Sequence, residues 1–256
     1  MSVPPSEPPL ASETIPNGAS GLVVPDTLLE MHDLFFDPAL VAAVQGQILA
    51  PGIEDVRLFP NYSSRAKLPN VAAHRVAWHQ DAGLTGSGEP NEAPAAERLH
   101  RFGPGVMVNC WTSLVPVRQQ NGCMLMVPGS HKGGCAKHVK EAPYREGGTR
   151  DADVSKYSSA IDPEVVSAAT AASPPVPIET NPGDLVLFTN LTFHCGLPNT
   201  ATARTDVGRT RWSVDWRYQD ASRETGRAEQ GHLVFSKATP EKVCPSREAW
   251  TQLALT

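Results

Sequence analysis

In "VAWHQDAGL", residues 76–84, an imidazole (His79) and a carboxylate (Asp81) stand two positions apart. Both can donate lone pairs. Hydrophobic alternation through "HRVAWHQ" predicts a strand that runs out into a loop here. On extended backbone, residues i and i+2 share a face, so the two side chains are expected to converge on one point beside a sheet. A third candidate, His194, follows in "NPGDLVLFTNLTFHCGLPNT", where a turn, a buried strand and the start of another run succeed one another. Two ligands from one strand end and a third from a distant strand can cap one face of an octahedron. Two histidines and one carboxylate in that arrangement leave open positions, as on non-haem Fe(II), for a cosubstrate and oxygen. A lone histidine at a strand end is more often bonded to backbone than to metal. The reading therefore rests on the set.

The elements that must position these groups are mostly short strands. Candidate strands are "VRLFPNY", "HRVAWHQ", "GVMVNCWTSLVPV", "CMLMVPG", "PVPIET", "DLVLFTN" and "RTRWSVDWRYQ", each bounded by Gly, Pro or polar residues. "QQNG", residues 119–122, reads as a hairpin turn between two of them. Ahead of the strands, residues 25–49 carry apolar residues at helical spacing, with Asp26 and Asp37 as caps, and predict two short helices. Many short strands with turn punctuation point to a mainly β sandwich or barrel. Residues 85–105 and 132–160 are long, polar and Gly-containing, and read as loops that shape a pocket. Residues 162–172 read as a short helix after the second loop. There is no internal repeat. The expected organisation is a flexible Pro/Ser/Glu-rich leader over residues 1–20 and a single domain over 21–256.

Composition narrows the class. A net charge of −5 and a pI near 5.9 argue against a nucleic-acid partner. No apolar run approaches a membrane span, and the N-terminus lacks the basic and apolar regions of a secretory signal. The five cysteines are widely spaced and form no C-x-x-C pair, so reduced thiols and a cytoplasmic location are expected. The sequence assigns no oligomeric state.

"WHQD", "NCWTSLVPVRQQNGCMLMVPGSHKGG" and the blocks from "NPGDLVLF" to "RWSVDWRYQD" resemble, in order, the phytanoyl-CoA dioxygenase family of Fe(II)/2-oxoglutarate oxygenases. The resemblance runs from about Val56 to Gln219. It implies a double-stranded β-helix, the jelly-roll or cupin-like barrel, with flanking helices. It also implies Fe(II), with 2-oxoglutarate and O2 as cosubstrates. His79, Asp81 and His194 then become the iron ligands and the catalytic centre. Arg211 falls where the family binds the remote carboxylate of 2-oxoglutarate, a role that suits a guanidinium fork. Trp111 and Ser63 fall at two further positions that contact the cosubstrate. The connection from His194 to Arg211 is longer than is usual in the family, which leaves Arg209 as a rival anchor. The position two after the distal histidine, often Ser, is Gly196, and the region before Val56 looks short. His131 belongs to the "PGSH" turn motif and reads as structural.

What the resemblance implies for activity is oxidation, most simply hydroxylation, of a small organic substrate with conversion of 2-oxoglutarate to succinate. An aspartate at position 81 favours this over halogenation, for which related enzymes keep a small residue there. Lys132, Lys137, Lys140 and Arg145 in the second loop are candidates to meet an anionic group, diluted by Glu141 and Glu146. Two alternatives come from other classes: a cupin-like metal-binding lyase or isomerase that does not use 2-oxoglutarate, and a degenerate barrel without activity.

Overall fold

The computed structural model describes residues 31–71, 74–83, 95–103, 105–140, 159–202, 210–226, 230–243 and 246–247. The predicted leader, Asp26 and Arg209 lie outside these residues.

The chain opens with α1 (Met31–Phe35) and α2 (Pro38–Gln47). Asp37 caps α2, its side chain accepting the Leu40 N–H at 2.8 Å, and Pro38 follows where a missing N–H costs nothing. The strands β1 (Asp55–Leu58), β2 (Ser63–Lys67) and β3 (Val76–His79) come next, then helix α3 (Ala95–Phe102). They are followed by β4 (Met107–Ser113), β5 (Met124–Met126), β6 (His138–Lys140) and β7 (Ser159–Ile161). Helix α4 (Pro163–Ala172) leads to β8 (Val176–Ile178), β9 (Leu185–Thr189), β10 (His194–Gly196), β11 (Arg211–Asp220) and β12 (His232–Ser236). No described helix is long and apolar enough to cross a membrane.

All strand pairs are antiparallel. The larger sheet runs β12-β1-β11-β4-β9, with β2 continuing along the same edge of β11 that β1 leaves; the smaller runs β3-β10-β5-β8. This is the expected mainly β barrel with flanking helices. Its central strand, β11, has two faces of opposite character. Val214, Trp216 and Tyr218 point outward into a core shared with Phe35, Val44 and Leu58, beneath α1 and α2. The Tyr218 hydroxyl donates to the Phe35 carbonyl at 2.7 Å, and the Phe35 and Trp216 rings lie 5.2 Å apart. Phe35 is fully buried, so truncating it to alanine should cost about 3–5 kcal/mol. The alternate residues Arg211, Asp215 and Arg217 face into the barrel and line its cavity. A second core of Trp111, Val117, Met124 and Met126 closes one end of that interior.

Three local expectations change. "QQNG" makes a tight turn with Gly122 at φ 85°, but β4 and β5 do not pair. Val117 bridges to Thr180 instead, and the turn carries the chain from one sheet to the other. The first long loop contains α3 over part of its length, and the ends of the second pair as the ribbon β6-β7. Four strands were not expected at all: β2, whose "SSRAK" is too polar to show alternation, the short β6 and β7, and β12.

Candidate metal centre and its cavity

His79 ends β3 and His194 begins β10, and the two are register partners across the smaller sheet. Their rings are 4.0 Å apart between centroids. Asp81 reaches them by a different route from the one strand alternation predicts. The strand stops at His79, and Asp81 opens a 3-10 turn whose Ala82 N–H donates to the Asn190 carbonyl. From there its Oδ1 lies 3.4 Å from His79 Nε2 and 3.9 Å from His194 Nε2. Gln80, between the ligands, is wholly buried. Its side-chain amide donates to the Gly134 and Leu191 carbonyls and accepts the Ala136 N–H. The turn that carries Asp81 is thereby tied to two further segments of the chain.

The donor set fits a divalent ion. Each histidine has Nδ1 2.9 Å from the carbonyl two residues earlier, Ala77 for His79 and Thr192 for His194. Donating there fixes the tautomer and turns the Nε2 lone pair toward Asp81. Burial, helped by the neighbouring His79, pushes His194 down to about 3, so its imidazole is neutral and ready to ligate. Burial would raise the Asp81 carboxyl, but Arg217, the His79 hydrogen bond and His194 outweigh it and hold the group well below the usual carboxylate range. The ligand atoms of the three residues all lie within 4.8 Å of one another, so one ion can bridge them.

Arg217 was not singled out from the sequence. Its Nε and Nη2 lie 3.1 and 2.7 Å from Asp81 Oδ2, which leaves Oδ1 for the imidazoles. Asp215 sits beside it, 3.4 Å from Arg217 Nη1 and 2.7 Å from Arg65 Nε. Arg65, Asp215, Arg217 and Asp81 thus form a chain of alternating charge along the inner wall.

The cavity continues from the metal centre to Trp111, Arg211 and Lys67, with roughly 630 Å³ not filled by atoms. Trp111 lies under Arg211, whose guanidinium carbon is 5.6 Å from the ring centroid. Arg211 is 5% exposed, its Nε has no hydrogen-bond partner, and among the described residues no carboxylate pairs with it. Burial, with Arg65 nearby, lowers it to about 10. Lys67 faces it across β2-β11 as a register partner and is 3% exposed. Its ammonium donates to the Leu197 carbonyl at 2.6 Å, and burial, reinforced by the positive charge of Arg211, brings it down to about 7. Sequence reasoning missed this residue too. Its stem threads between two glycines. A Cβ on Gly122 would stand 2.6 Å from Lys67 Cδ, and one on Gly196 would stand 2.9 Å from Nζ. Gly196, where the family often has Ser, therefore makes room for the lysine.

Ser63 is not brought into the cavity. It shares the strand face of Arg65 and Lys67 but is not itself a lining residue, and its hydroxyl donates to Asp215 Oδ1 at 3.2 Å. His131 also stays away from the metal centre, and its turn is closed by Ser130, whose hydroxyl donates to the Val127 carbonyl and accepts the Phe193 N–H.

A model of the phytanoyl-CoA dioxygenase family matches residues 11–205, which is 195 of the 256 residues. The chain belongs to the phytanoyl-CoA dioxygenase family. The family match ends ahead of β11, so Arg211 and Arg217 lie beyond it. A probable phytanoyl-CoA dioxygenase from Caenorhabditis elegans is 33% identical over 94 residues, 36% of this chain. The match spans about a quarter of that curated relative, 26% of its length. Among solved structures, the apo non-heme monooxygenase ThoJ is 21% identical with a TM-score of 0.54, over 90% of this chain and 73% of that one. That likeness supports the same barrel fold for this phytanoyl-CoA dioxygenase family member. The epimerase SnoN, solved with Fe3+, alpha ketoglutarate and nogalamycin RO, is 23% identical with a TM-score of 0.45, over 77% of this chain and 62% of that one.

Proposed function

We propose that this chain is an Fe(II)/2-oxoglutarate-dependent oxygenase that hydroxylates a small organic substrate. One observation carries the reading: a His-Asp-His face opens into the same cavity as two buried basic side chains, Lys67 and Arg211, and among the described residues no carboxylate is ion-paired with either. Among the cavity's charged side chains, Asp81 is matched by Arg217 and Asp215 by Arg65. Lys67 and Arg211 are left over. A divalent ion at one end and two unmatched cations at the other suit a dianion that chelates the ion and extends a second carboxylate, and 2-oxoglutarate is such a molecule.

His79, Asp81 and His194 would hold the iron. Bound together, iron and 2-oxoglutarate supply the oxidising chemistry, in which O2 yields one oxygen to the substrate C–H and one to succinate as carbon dioxide leaves. The protein's share is placement. Arg217 keeps Asp81 ionised and oriented, Trp111 walls the cosubstrate's path, and Arg211 and Lys67 receive its far carboxylate through charge-assisted bonds. Asp81 occupies the position that halogenation would need open, which favours hydroxylation.

The test is an anaerobic titration with Fe(II) and then 2-oxoglutarate, followed by visible absorption. A weak charge-transfer band that needs both additions supports the reading. Iron binding with no band on adding 2-oxoglutarate would turn it toward a cupin-type lyase or isomerase. Absence of iron binding would leave a barrel without activity.

A further inference from the structure

We propose that Asn109 is a further binding residue of the cavity, its carboxamide reading the oxygen ligands that share the metal with His79, Asp81 and His194. The inference rests on the oxygenase reading above, because it names the metal-side carboxylate of the 2-oxo acid as the group met by Nδ2. Oδ1 is left to accept from a water that shares the site.

Asn109 sits in the middle of β4 and is 3% exposed. Its strand neighbours Val108 and Cys110 point into the outer core. Asn109 therefore points inward with Trp111, and it lines the cavity. Its register partners are Arg217 on one side and Phe188 on the other. Arg217 grips Asp81, and the Phe188 ring lies 4.9 Å from that of His194. Both strands flanking Asn109 thus present side chains that touch metal-facing residues.

Neither amide atom of Asn109 has a hydrogen-bond partner among the described residues. A buried carboxamide with both its donor and its acceptor unmet is costly and rarely retained without a partner. The surrounding polar groups do not supply one. Arg217 is committed to Asp81, Asp215 and the Asn61 carbonyl. An apolar side chain would fill the position at less cost to the fold alone. The unmet groups lie side by side, one donor and one acceptor. A carboxylate oxygen and a metal-held water offer the complementary pair.

Two variants test this, Asn109→Leu and Asn109→Asp. Leucine has the same branched arrangement of side-chain heavy atoms, with methyls that can extend into the cavity, and removes both unmet polar atoms. The Asn109→Leu protein should unfold at or above the wild-type temperature and bind Fe(II) with unchanged affinity. Its dissociation constant for 2-oxoglutarate on the Fe(II) protein should rise roughly ten- to hundredfold, the range for one hydrogen bond to a charged group. Its charge-transfer band should shift in position. Asn109→Asp, which sets a carboxylate against a carboxylate, should weaken 2-oxoglutarate further. Unchanged 2-oxoglutarate affinity and an unmoved band in Asn109→Leu would overturn the inference while leaving the oxygenase reading intact. Parallel loss of stability, iron and 2-oxoglutarate would make Asn109 a packing residue and overturn it as well. If the wild-type protein forms no band, both readings fail together.

Discussion

Arg217 donates two hydrogen bonds to a single oxygen of Asp81, Oδ2, at 3.1 and 2.7 Å, while the other oxygen faces His79 and His194. Both side chains are largely buried. The arginine therefore does more than neutralise a charge. It leaves one oxygen facing the imidazoles, and it does so from the larger sheet while His79 and His194 stand on the smaller one and Asp81 on the turn that follows β3. The geometry of the candidate metal site is thus set by contact between the larger sheet and the turn after β3.

Removing that grip should weaken the metal more than the fold. Arg217→Gln keeps a donor but loses the charge, and Arg217→Lys keeps the charge but cannot make both bonds. Partners that orient metal ligands typically matter ten- to a hundredfold, so a loss of about that size in Fe(II) or Mn(II) affinity is expected for Arg217→Gln. Arg217→Lys should fall between it and wild type. Calorimetric titration of the purified apoproteins reads both. Wild-type affinity in Arg217→Gln would mean that Asp81 is oriented by its 3-10 turn alone.

Lys67 links dicarboxylate binding to pH. Without ligand, burial and Arg211 bring its ammonium to about 7, so above neutrality the empty protein holds it largely as the amine. An incoming carboxylate favours the ammonium, so binding takes up a proton. The sign follows. Affinity for 2-oxoglutarate is greatest below pH 7 and falls as pH rises through 7, by up to about tenfold per unit while the proton must be supplied. Titrations in buffers of different ionisation enthalpy should show an uptake approaching one proton per ligand at pH 8. Lys67→Met should abolish both the uptake and the slope. A flat pH profile in the wild-type protein would show that the lysine stays charged throughout.

How much of this was readable beforehand differs from residue to residue. His79, Asp81, His194 and Arg211 stand in recognisable spacing, and the structure places all four around one cavity with Trp111. Asp81, however, arrives by a 3-10 turn and not by strand alternation. Two residues apart on the chain gave the right convergence for the wrong backbone. Arg217 had a signal that went unused. In "RWSVDWRYQ" the charged residues 211, 215 and 217 share one parity and the aromatic residues 212, 216 and 218 the other. A strand that is apolar on one face and charged on the other, inside a barrel, marks a functional wall. Lys67 had no comparable signal. "SSRAK" shows no alternation, and the two glycines that admit the lysine stem lie far along the chain. "QQNG" has hairpin composition, yet whether its flanking strands pair is decided by the competing partners β11, β9, β10 and β8. That competition is tertiary, and a local pattern does not carry it.

The ribbon β6-β7 packs on β3 through Ile161 and Trp78 and reaches the turn that carries Asp81 through His138, a contact that a glycine makes possible. His138 Nε2 accepts the Gln80 N–H at 3.0 Å, while Nδ1 lies 3.0 Å from the Ala136 carbonyl. The ring held in this way covers Gly83, where an added Cβ would overlap it. Gly83→Ala must therefore push the ring off, breaking the bond to Gln80 between the two ligands. Overpacking of this kind costs about 1–3 kcal/mol, and metal affinity should fall with it. His138→Ala clears the space but leaves the Gln80 N–H unmet, at about 1–3 kcal/mol. If the two residues act through one contact, the double variant should lose clearly less stability than the sum of the single losses, because alanine at 83 no longer has a ring to displace. Denaturant unfolding of the four proteins closes the cycle. Additive losses would mean that Gly83 is required by its own backbone and that the ribbon does not hold the metal-bearing turn.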